Sequence, residues 1–214
     1  PPPQAPVAQL ELGRHPAQQR LVFEEMLAHQ LSLRRLREHM RQHSAAPMQV
    51  PGKLAEGLLA ALPFSLTGAQ QRVWGEITHD LRRAHPMQRL VQGDVGSGKT
   101  VVAALAGLHA VEAGWQVAVM APTELLAEQH WRNFTHWLQP LGIEVAWLSG
   151  KLGARKRCHM LELIASGRAA VAVGTHALFQ AEVEFARLGL VVVDEQHRFG
   201  VHQRMQLREK GSRD

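Results

Sequence analysis

One eight-residue segment constrains the fold of this chain more than any other. It reads Gly93-Asp94-Val95-Gly96-Ser97-Gly98-Lys99-Thr100 and fills every fixed position of the pattern G-x-x-x-x-G-K-[ST]. Residues 89–92 before it predict a short buried strand, and the apolar residues 101–106 after it predict a helix. A strand, a glycine-rich turn and a helix in this order form a loop whose backbone N–H groups point at an anion. The sequence therefore predicts a nucleoside triphosphate site.

The residues of this loop have different expected tasks. Gly98 opens the helix, so that the positive end of the helix dipole faces the phosphates. Lys99 is expected to reach the β- and γ-phosphates, and the Thr100 hydroxyl is expected to ligate Mg²⁺. The remaining residues predicted to cradle the nucleotide are Gly93, Asp94, Val95, Gly96 and Ser97.

The composition is that of an ordinary globular protein. Hydrophobic residues make up 45% of the 214 positions and charged residues 20%, and no apolar run approaches the about 18 residues of a membrane span. The net charge of +5 is compatible with a phosphate-rich partner but does not establish one. The single cysteine, Cys158, excludes an internal disulfide and suits a reducing cytoplasm. The chain begins with Pro1 rather than Met, so we expect it to be a piece of a longer polypeptide.

The chain changes character near residue 62. Residues 1–62 are a proline-rich lead-in and a helical linker, with a long helix over 16–42 and a short one over 53–61. Residues 63–214 alternate between strands and helices, and the strands are apolar throughout. This pattern predicts an α/β fold with a doubly wound parallel sheet covered on both faces. The predicted elements are helices over 68–83, 98–113, 124–138 and 154–166 and strands over 89–92, 116–120, 144–148, 170–173 and 190–193.

Two adjacent carboxylates, Asp194 and Glu195, follow the last predicted strand. In enzymes with such a phosphate loop, the acidic residue at this position holds Mg²⁺. A neighbouring carboxylate can orient and deprotonate the attacking water. Asp194 is therefore a predicted metal ligand together with Thr100, and Glu195 is the predicted base. Lys99, Asp194 and Glu195 form the predicted catalytic set, and the position of Glu195 beside the metal ligand favours hydrolysis over phosphoryl transfer to a small molecule.

Several segments resemble motifs of superfamily-2 helicases and translocases. Asp194-Glu195-Gln196-His197 resembles motif II, and Phe64-Ser65-Leu66-Thr67-Gly68-Ala69-Gln70 resembles the Q motif. The resemblance implies a RecA-like P-loop NTPase lobe in which Phe64 and Gln70 select adenine and Thr67 belongs to the nucleotide site. A glutamine amide can pair with N6 and N7 of adenine, which gives this role a physical basis. The predicted ligands are therefore ATP and Mg²⁺.

Residues 121–130 resemble motif Ia, and residues 174–178 resemble motif Ib. In the family these motifs, with the turn at 148–150 between them, grip the nucleic-acid backbone. The resemblance thus implies DNA contacts from Thr123, Ser149, Gly150, Thr175 and His176. From the residues alone, Thr123 is equally well placed as a helix N-cap, and the basic residues at 151–157 could form a solvated helix face.

The continuation of motif II over residues 194–201 narrows the resemblance to the RecG family of bacterial DNA helicases. Residues 15–20 and 29–33 resemble the segment that joins the wedge domain to the motor in that family, so that the resemblance covers residues 10–210. It implies an ATP-dependent translocase on double-stranded DNA that remodels or reverses stalled forks. It further implies that His197 couples ATP binding to DNA binding. Other coupling candidates follow the predicted metal site closely along the chain: Gln196, Arg198, Gln203 and Arg204. His202 departs from the family, in which many relatives carry an acidic residue.

By the same resemblance, the chain is the first motor lobe with its preceding linker, and it ends before motif III. Its implied partners are branched or forked DNA, and the wedge domain and second motor lobe of the same polypeptide, with no membrane and no second copy. An arginine finger from another lobe contributes about 10³–10⁵ in rate in comparable NTPases. We therefore expect this piece alone to bind ATP weakly, to hydrolyse it slowly at most and not to unwind DNA.

Three other functions remain compatible with parts of the sequence. Transcription-repair coupling factors have a similar loop at residues 93–96, but they usually carry Glu at the position of Gln196. A P-loop kinase or signalling switch would need the phosphate loop and not Gln70. A pure interaction module would use the helix over 16–42 only to dock against other domains.

Overall fold

The computed structural model describes residues 15–41 and 44–195. It divides the chain into two compact units, of which the first comprises the described residues up to 46 together with 84–87. The second unit comprises residues 47–83 and the described residues from 88 onward. The predicted coupling residues lie outside the described residues; they are Gln196, His197, Arg198, Gln203 and Arg204.

The first unit contains one long helix, α1, from Pro16 to Arg41. Pro16 suits the first helical position because it has no N–H to leave unbonded, and the Nδ1 atom of His15 accepts a hydrogen bond from the Ala17 N–H at 3.2 Å. The unit is closed by a backbone hydrogen bond from the Ala45 N–H to the Ala84 carbonyl at 3.1 Å. The helix predicted over 16–42 is therefore confirmed to within one residue.

The second unit contains a four-stranded sheet, five α-helices and two short 3-10 helices (Gln139–Leu141 and His176–Phe179) among its described residues. The helices are α2 (Lys53–Ala61), α3 (Gly68–Leu81), α4 (Lys99–Glu112), α5 (Glu124–Leu138) and α6 (Ala154–Ala165), and the strands are β1 (Gln116–Met120), β2 (Glu144–Leu148), β3 (Ala169–Gly174) and β4 (Leu188–Val193). All strand pairs are parallel, and the strand order is β2-β3-β1-β4. The predicted α/β fold with a parallel sheet is confirmed.

Both faces of the sheet are covered, which explains why its strands are apolar without alternation. Ala118 and Met120 of β1 are buried in a cluster that includes Ile164 of α6. Val117, which points to the opposite face, packs against α4, where a methyl group added at Gly107 would lie 3.7 Å from its Cγ1 atom. Helices on both faces make the sheet doubly wound.

The short helix α2 is attached to the C-terminal end of α4 by one carboxylate. Glu112 accepts hydrogen bonds from the backbone N–H groups of Gly52 at 3.0 Å, Lys53 at 3.1 Å and Leu54 at 3.1 Å. These N–H groups begin α2 and have no partner within the helix. From the sequence we assign α2 to the linker that precedes residue 63. In the structure, this contact holds α2 in the unit that contains the sheet.

The strand predicted over residues 89–92 is wrong for this structure, in which that segment has no regular secondary structure. Leu90 is 74% exposed. The Arg89 guanidinium is bonded to α3, where its Nη2 atom lies 2.6 Å from Oδ2 of Asp80, and it also pairs with Glu76. Within residues 15–41 and 44–195, β4 is paired along one edge only, by β1, and residues 89–92 form no strand ladder with its other edge.

None of the helices in the described part of the chain is both long enough and apolar enough to cross a membrane.

Candidate nucleotide site at the carboxyl edge of the sheet

The strands of the sheet end level with one another at their carboxyl ends. Met120 of β1 lies opposite Gly174 of β3 on one side and Val193 of β4 on the other, and Leu148 of β2 lies opposite Gly174. Ligand sites of open parallel sheets are formed at this edge, because loops of different strands converge there. The residues that follow these positions therefore decide what the edge can bind.

Three predicted site residues follow these strand ends in a row: Ser149 after β2, Thr175 after β3 and Asp194 after β4. The hydrogen bonds between β1 and β4 continue past the end of β4, since the Asp194 N–H donates to the Met120 carbonyl at 2.8 Å. With a strand spacing of about 4.8 Å, the row from Ser149 to Asp194 spans about 14 Å. Residues that are 45 positions apart in sequence thus line one edge.

The phosphate loop lies at the same edge because of the direction of α4. Residues 113–115 connect the end of α4 to the start of β1, so the helix runs antiparallel to the strand and its first residues lie at the carboxyl edge. Lys99 and Thr100 are those first residues. The topology therefore places the lysine, the threonine hydroxyl and the Asp194 carboxylate at one edge of the sheet.

The loop itself is held closed by its own lysine. The Nζ atom of Lys99 donates to the carbonyl oxygens of Gly93 at 2.7 Å and Asp94 at 2.8 Å. Gly98 has a φ of 76°, in the left-handed region that favours glycine. A side chain at Gly98 would also overlap the Gln70 amide. A bound triphosphate would offer the lysine charged oxygens in place of the two carbonyls.

Gln70 connects the start of α3 to this loop. Its Oε1 atom accepts from the Thr67 N–H at 2.8 Å, and the Thr67 hydroxyl accepts from the Gln70 N–H at 3.3 Å, which is a capping box. The Nε2 atom of Gln70 donates to the Ser97 carbonyl at 2.9 Å. The resemblance assigns Gln70 to adenine and gives no hint of this tether, although the T-x-x-Q spacing indicates the capping box. Phe64, at the start of the same segment, is 49% exposed.

Asp194 has a partner that the sequence reasoning missed. Its Oδ2 atom lies 2.7 Å from Nε2 of His130 on α5, and its Oδ1 atom accepts from the Glu195 N–H at 3.0 Å. The His130 side chain is 14% exposed and that of Asp194 is 31% exposed. Glu195 has a φ of 49°, which is uncommon for a residue with a side chain. The two contacting residues are 64 positions apart, and no local pattern indicates such a contact.

The donor atoms at this edge fit magnesium. The Thr100 hydroxyl and the Asp194 carboxylate are oxygen ligands, which Mg²⁺ prefers, and Mg²⁺ in nucleotide sites takes its other ligands from phosphates and water. Among the described residues, no group of three or more His, Cys, Asp or Glu side chains could hold a metal ion by itself. The two residues therefore suit an ion that is shared with the nucleotide.

The residues predicted to contact DNA differ in exposure. Ser149 and Thr175 are each only 4% exposed, whereas Gly150 and His176 are exposed. The Ser149 hydroxyl accepts from the Lys151 N–H at 3.3 Å. A phosphate at this turn would therefore meet backbone N–H groups rather than the Ser149 or Thr175 hydroxyl.

Thr123 is an N-cap, since its hydroxyl accepts from the Leu126 N–H at 3.3 Å at the start of α5. The same helix end is bridged to the turn after β2, where the Nζ atom of Lys151 lies 2.5 Å from Oε2 of Glu124. Hydrogen bonding to Glu124, and then its charge, raise the pKa of Lys151 above the ordinary 10.5. The basic cluster at 151–157 is partly neutralised, because Arg157 also pairs with Glu182.

Comparisons with known proteins show which family the chain resembles. The family pattern described as DEAD/DEAH box helicase matches residues 67–213. The chain is 57% identical over 213 residues to the ATP-dependent DNA helicase RecG of Haemophilus influenzae, covering 100% of this chain and 31% of that protein. It is 58% identical over 211 residues to the RecG protein of Escherichia coli K12, covering 99% of this chain and 30% of that protein.

A solved structure described as RecG bound to a three-way DNA junction is 45% identical and superposes with a TM-score of 0.79, covering 85% of this chain and 25% of that one. The chain thus spans less than a third of the length of the relatives it matches. The resemblance to RecG helicases indicated by the sequence motifs is confirmed, and the chain belongs to the DEAD/DEAH box helicase family.

Proposed function

We propose that the chain is the ATP-binding lobe of a RecG-type translocase that remodels forked or branched DNA, with roles in DNA repair and recombination. The observation that carries this proposal is the placement of Lys99, Thr100 and Asp194 at one edge of the sheet. The relatives reported above are named RecG, and one solved structure is described as RecG bound to a three-way DNA junction. This favours the RecG type over the alternatives left open by the sequence.

The proposed hydrolysis divides the work among the residues of this edge. Backbone N–H groups of the loop over residues 93–98 bind the phosphates, and the Lys99 ammonium exchanges its two carbonyl partners for phosphate oxygens. Thr100 and Asp194 would hold Mg²⁺, which supplies neutralising charge to the phosphates. Glu195 takes the proton of the attacking water.

Adenine selection is proposed for Gln70, with Phe64 and Thr67 beside it. Each atom of the Gln70 amide already makes one hydrogen bond within the protein. An amide carries two N–H groups and an oxygen with two lone pairs, so that one donor and one acceptor position remain for a base. The tether to Ser97 would then let the same side chain sense the base and hold the phosphate loop.

DNA contact is proposed for the N-terminus of α5 at Thr123, for the turn at Ser149 and Gly150, and for the segment at Thr175 and His176. Because Ser149 and Thr175 are buried, backbone N–H groups would carry most of the contacts to phosphate. Residues 196–204 are proposed to couple this surface to the nucleotide. The wedge domain and second motor lobe of the longer polypeptide would complete the translocase, which we expect to act as a monomer.

The adenine assignment is tested by measuring the Kd of the chain for ATP and GTP in the presence of Mg²⁺. We expect Lys99→Ala to abolish binding of both nucleotides. Gln70→Ala should reduce the preference for ATP, because it removes the only amide proposed to read the base. Gln71→Ala is the matched control, since its side chain bonds to the Leu66 carbonyl and not to the phosphate loop. Unchanged affinity and unchanged base preference in Gln70→Ala would argue against the assignment.

The DNA assignment is tested by binding to a model replication fork at increasing salt. A motor lobe that contacts several phosphates should lose affinity linearly on a log–log plot of binding constant against salt concentration. A small-molecule kinase or signalling switch would show no such binding. The absence of salt-sensitive binding to forked DNA would therefore contradict the proposed function.

A further inference from the structure

We propose that His130 is a positioning residue that fixes the orientation of the Asp194 carboxylate and ties this metal ligand to helix α5. The inference rests on the proposed function, in which Asp194 holds Mg²⁺. Its basis is the 2.7 Å contact between Nε2 of His130 and Oδ2 of Asp194, made by an imidazole that is only 14% exposed.

The contact leaves the carboxylate little rotational freedom. The main chain of Asp194 is fixed by its N–H bond to the Met120 carbonyl, at 2.8 Å. One carboxylate oxygen accepts from the Glu195 N–H and the other faces His130. Rotation of the side chain would break both bonds. Each oxygen retains a further lone pair, so the same oxygens can still face a metal ion.

The chemistry of the imidazole suits this role. An ionised carboxylate only accepts hydrogen bonds, so Nε2 of His130 must be the donor. The other ring nitrogen, Nδ1, is buried and has no hydrogen-bond partner among the described residues. The neutral tautomer with its proton on Nε2 therefore makes the bond to Asp194 without burying an unpaired N–H group. Hydrogen bonds of this kind orient metal ligands in many proteins.

His109, a histidine that is more deeply buried in the same unit, makes a different kind of contact. His109 on α4 is 1% exposed, and its Nε2 atom lies 2.9 Å from the backbone carbonyl of Met48. That bond joins a helix to a loop and reaches no residue of the candidate site. His130 instead forms its hydrogen bond with Asp194, the residue to which the metal role is assigned.

The same contact links two proposed sites through one rigid element. His130 lies seven residues after Thr123, which is about 10 Å along a helix. The N-terminus of α5 carries the Thr123 cap and the Glu124 pair with Lys151, and Ala127 between the two ends is fully buried. A shift of α5 at its N-terminus would therefore move His130 and, with it, the Asp194 carboxylate.

The test compares three variants of the chain in Mn²⁺ binding, measured by electron paramagnetic resonance in the presence of ATP, and in ATP binding without metal. His130→Leu keeps the apolar bulk and removes the donor. His130→Gln restores a donor on a side chain of similar length. His136→Leu is the control, because His136 is an exposed histidine on the same helix.

We expect His130→Leu to weaken Mn²⁺ binding about 10-fold, at the lower end of the loss found for residues that orient metal ligands. Metal-free ATP binding should change less than about twofold, since the phosphate loop is intact, and His130→Gln should recover most of the loss. His136→Leu should match the unaltered chain. Thermal unfolding of each variant separates a folding defect from a local effect.

Two results would overturn the inference in different ways. If the unaltered chain binds Mn²⁺ with ATP and His130→Leu binds it equally well, His130 does not position Asp194, and the proposed function stands. If the unaltered chain binds neither ATP nor Mn²⁺ with ATP, the proposed function fails and the inference fails with it. A loss in His130→Leu that His130→Gln does not recover would also count against the donor role.

Discussion

Replacing Glu112 with alanine is expected to lower the free energy of unfolding of the sheet-containing unit by about 2–3 kcal/mol. The Glu112 carboxylate is half-buried and accepts three backbone N–H groups at the start of α2, at 3.0, 3.1 and 3.1 Å. A single hydrogen bond contributes about 1 kcal/mol net, and an anion at a helix N-terminus adds about 0.5 kcal/mol through the helix dipole. Exposure of the Lys53 N–H to water reduces the sum, because that group keeps a partner after the substitution.

Glu112→Gln separates charge from hydrogen bonding. The amide oxygen can still accept from one or two of the N–H groups, but the amide nitrogen would face a donor. We therefore expect a loss of about 1–2 kcal/mol. Glu128→Ala is the matched control, since Glu128 pairs only with Arg132, whose side chain is 71% exposed, and exposed pairs contribute less than about 1 kcal/mol.

Urea unfolding followed by tryptophan fluorescence is a suitable assay. All five tryptophans lie between residues 74 and 147, so the signal reports the unit that contains the sheet and α2. A shift in the free energy of unfolding for Glu112→Ala that is no larger than that for Glu128→Ala would contradict the stabilising role of Glu112. In that case the Glu112 hydrogen bonds would not contribute to the free energy of unfolding, and apolar packing alone would hold α2 in place.

Two further predictions concern the carboxyl edge of the sheet. In Gly174→Ala the added methyl group would overlap the carbonyl oxygen of Leu148, so we expect the free energy of unfolding, measured by thermal unfolding, to fall by about 2–3 kcal/mol. Gly153→Ala is the control, because a methyl group there would have no atom within 4 Å, and its free energy of unfolding should fall by less than about 0.5 kcal/mol. Equal losses would contradict this. The pKa of Lys151 is raised by Glu124, so the ammonium that this contact needs is retained as the pH approaches 10.5 and is lost only as the pH rises through the raised pKa. An NMR titration of the Lys151 ammonium should show its pKa fall in Glu124→Gln, and an unchanged pKa would count against the pairing.

The sequence predicted most of the fold because its strands are short apolar runs and its helices carry clear end signals. The helix predicted over 124–138 is found at those bounds, with Thr123 as its N-cap. The strand predicted over residues 89–92 is not found, and the reason is physical. Its apolar residues resemble a buried strand, but a strand forms only where it hydrogen-bonds to a neighbouring strand, and a local pattern does not show whether that pairing occurs.

The candidate site could be predicted in its residues but not in its contacts. The loop over 93–100 and the acidic pair are fixed by type and spacing, and the parallel topology brings them to one edge. The contact of His130 with Asp194 depends on how α5 packs against β2 and β3, which no spacing along the chain encodes. The burial of Ser149 could likewise not be predicted from the sequence, because a serine after a strand can face either solvent or the interior.

The most direct test of the central claim is a crystal structure of the chain with Mg²⁺ and a non-hydrolysable ATP analogue. We expect the Lys99 ammonium to leave the carbonyl oxygens of Gly93 and Asp94 for the β- and γ-phosphates, and Thr100 and Asp194 to face the same Mg²⁺ ion. A nucleotide bound elsewhere, or a structure in which Lys99 and Asp194 open onto different surfaces, would contradict the proposed motor function.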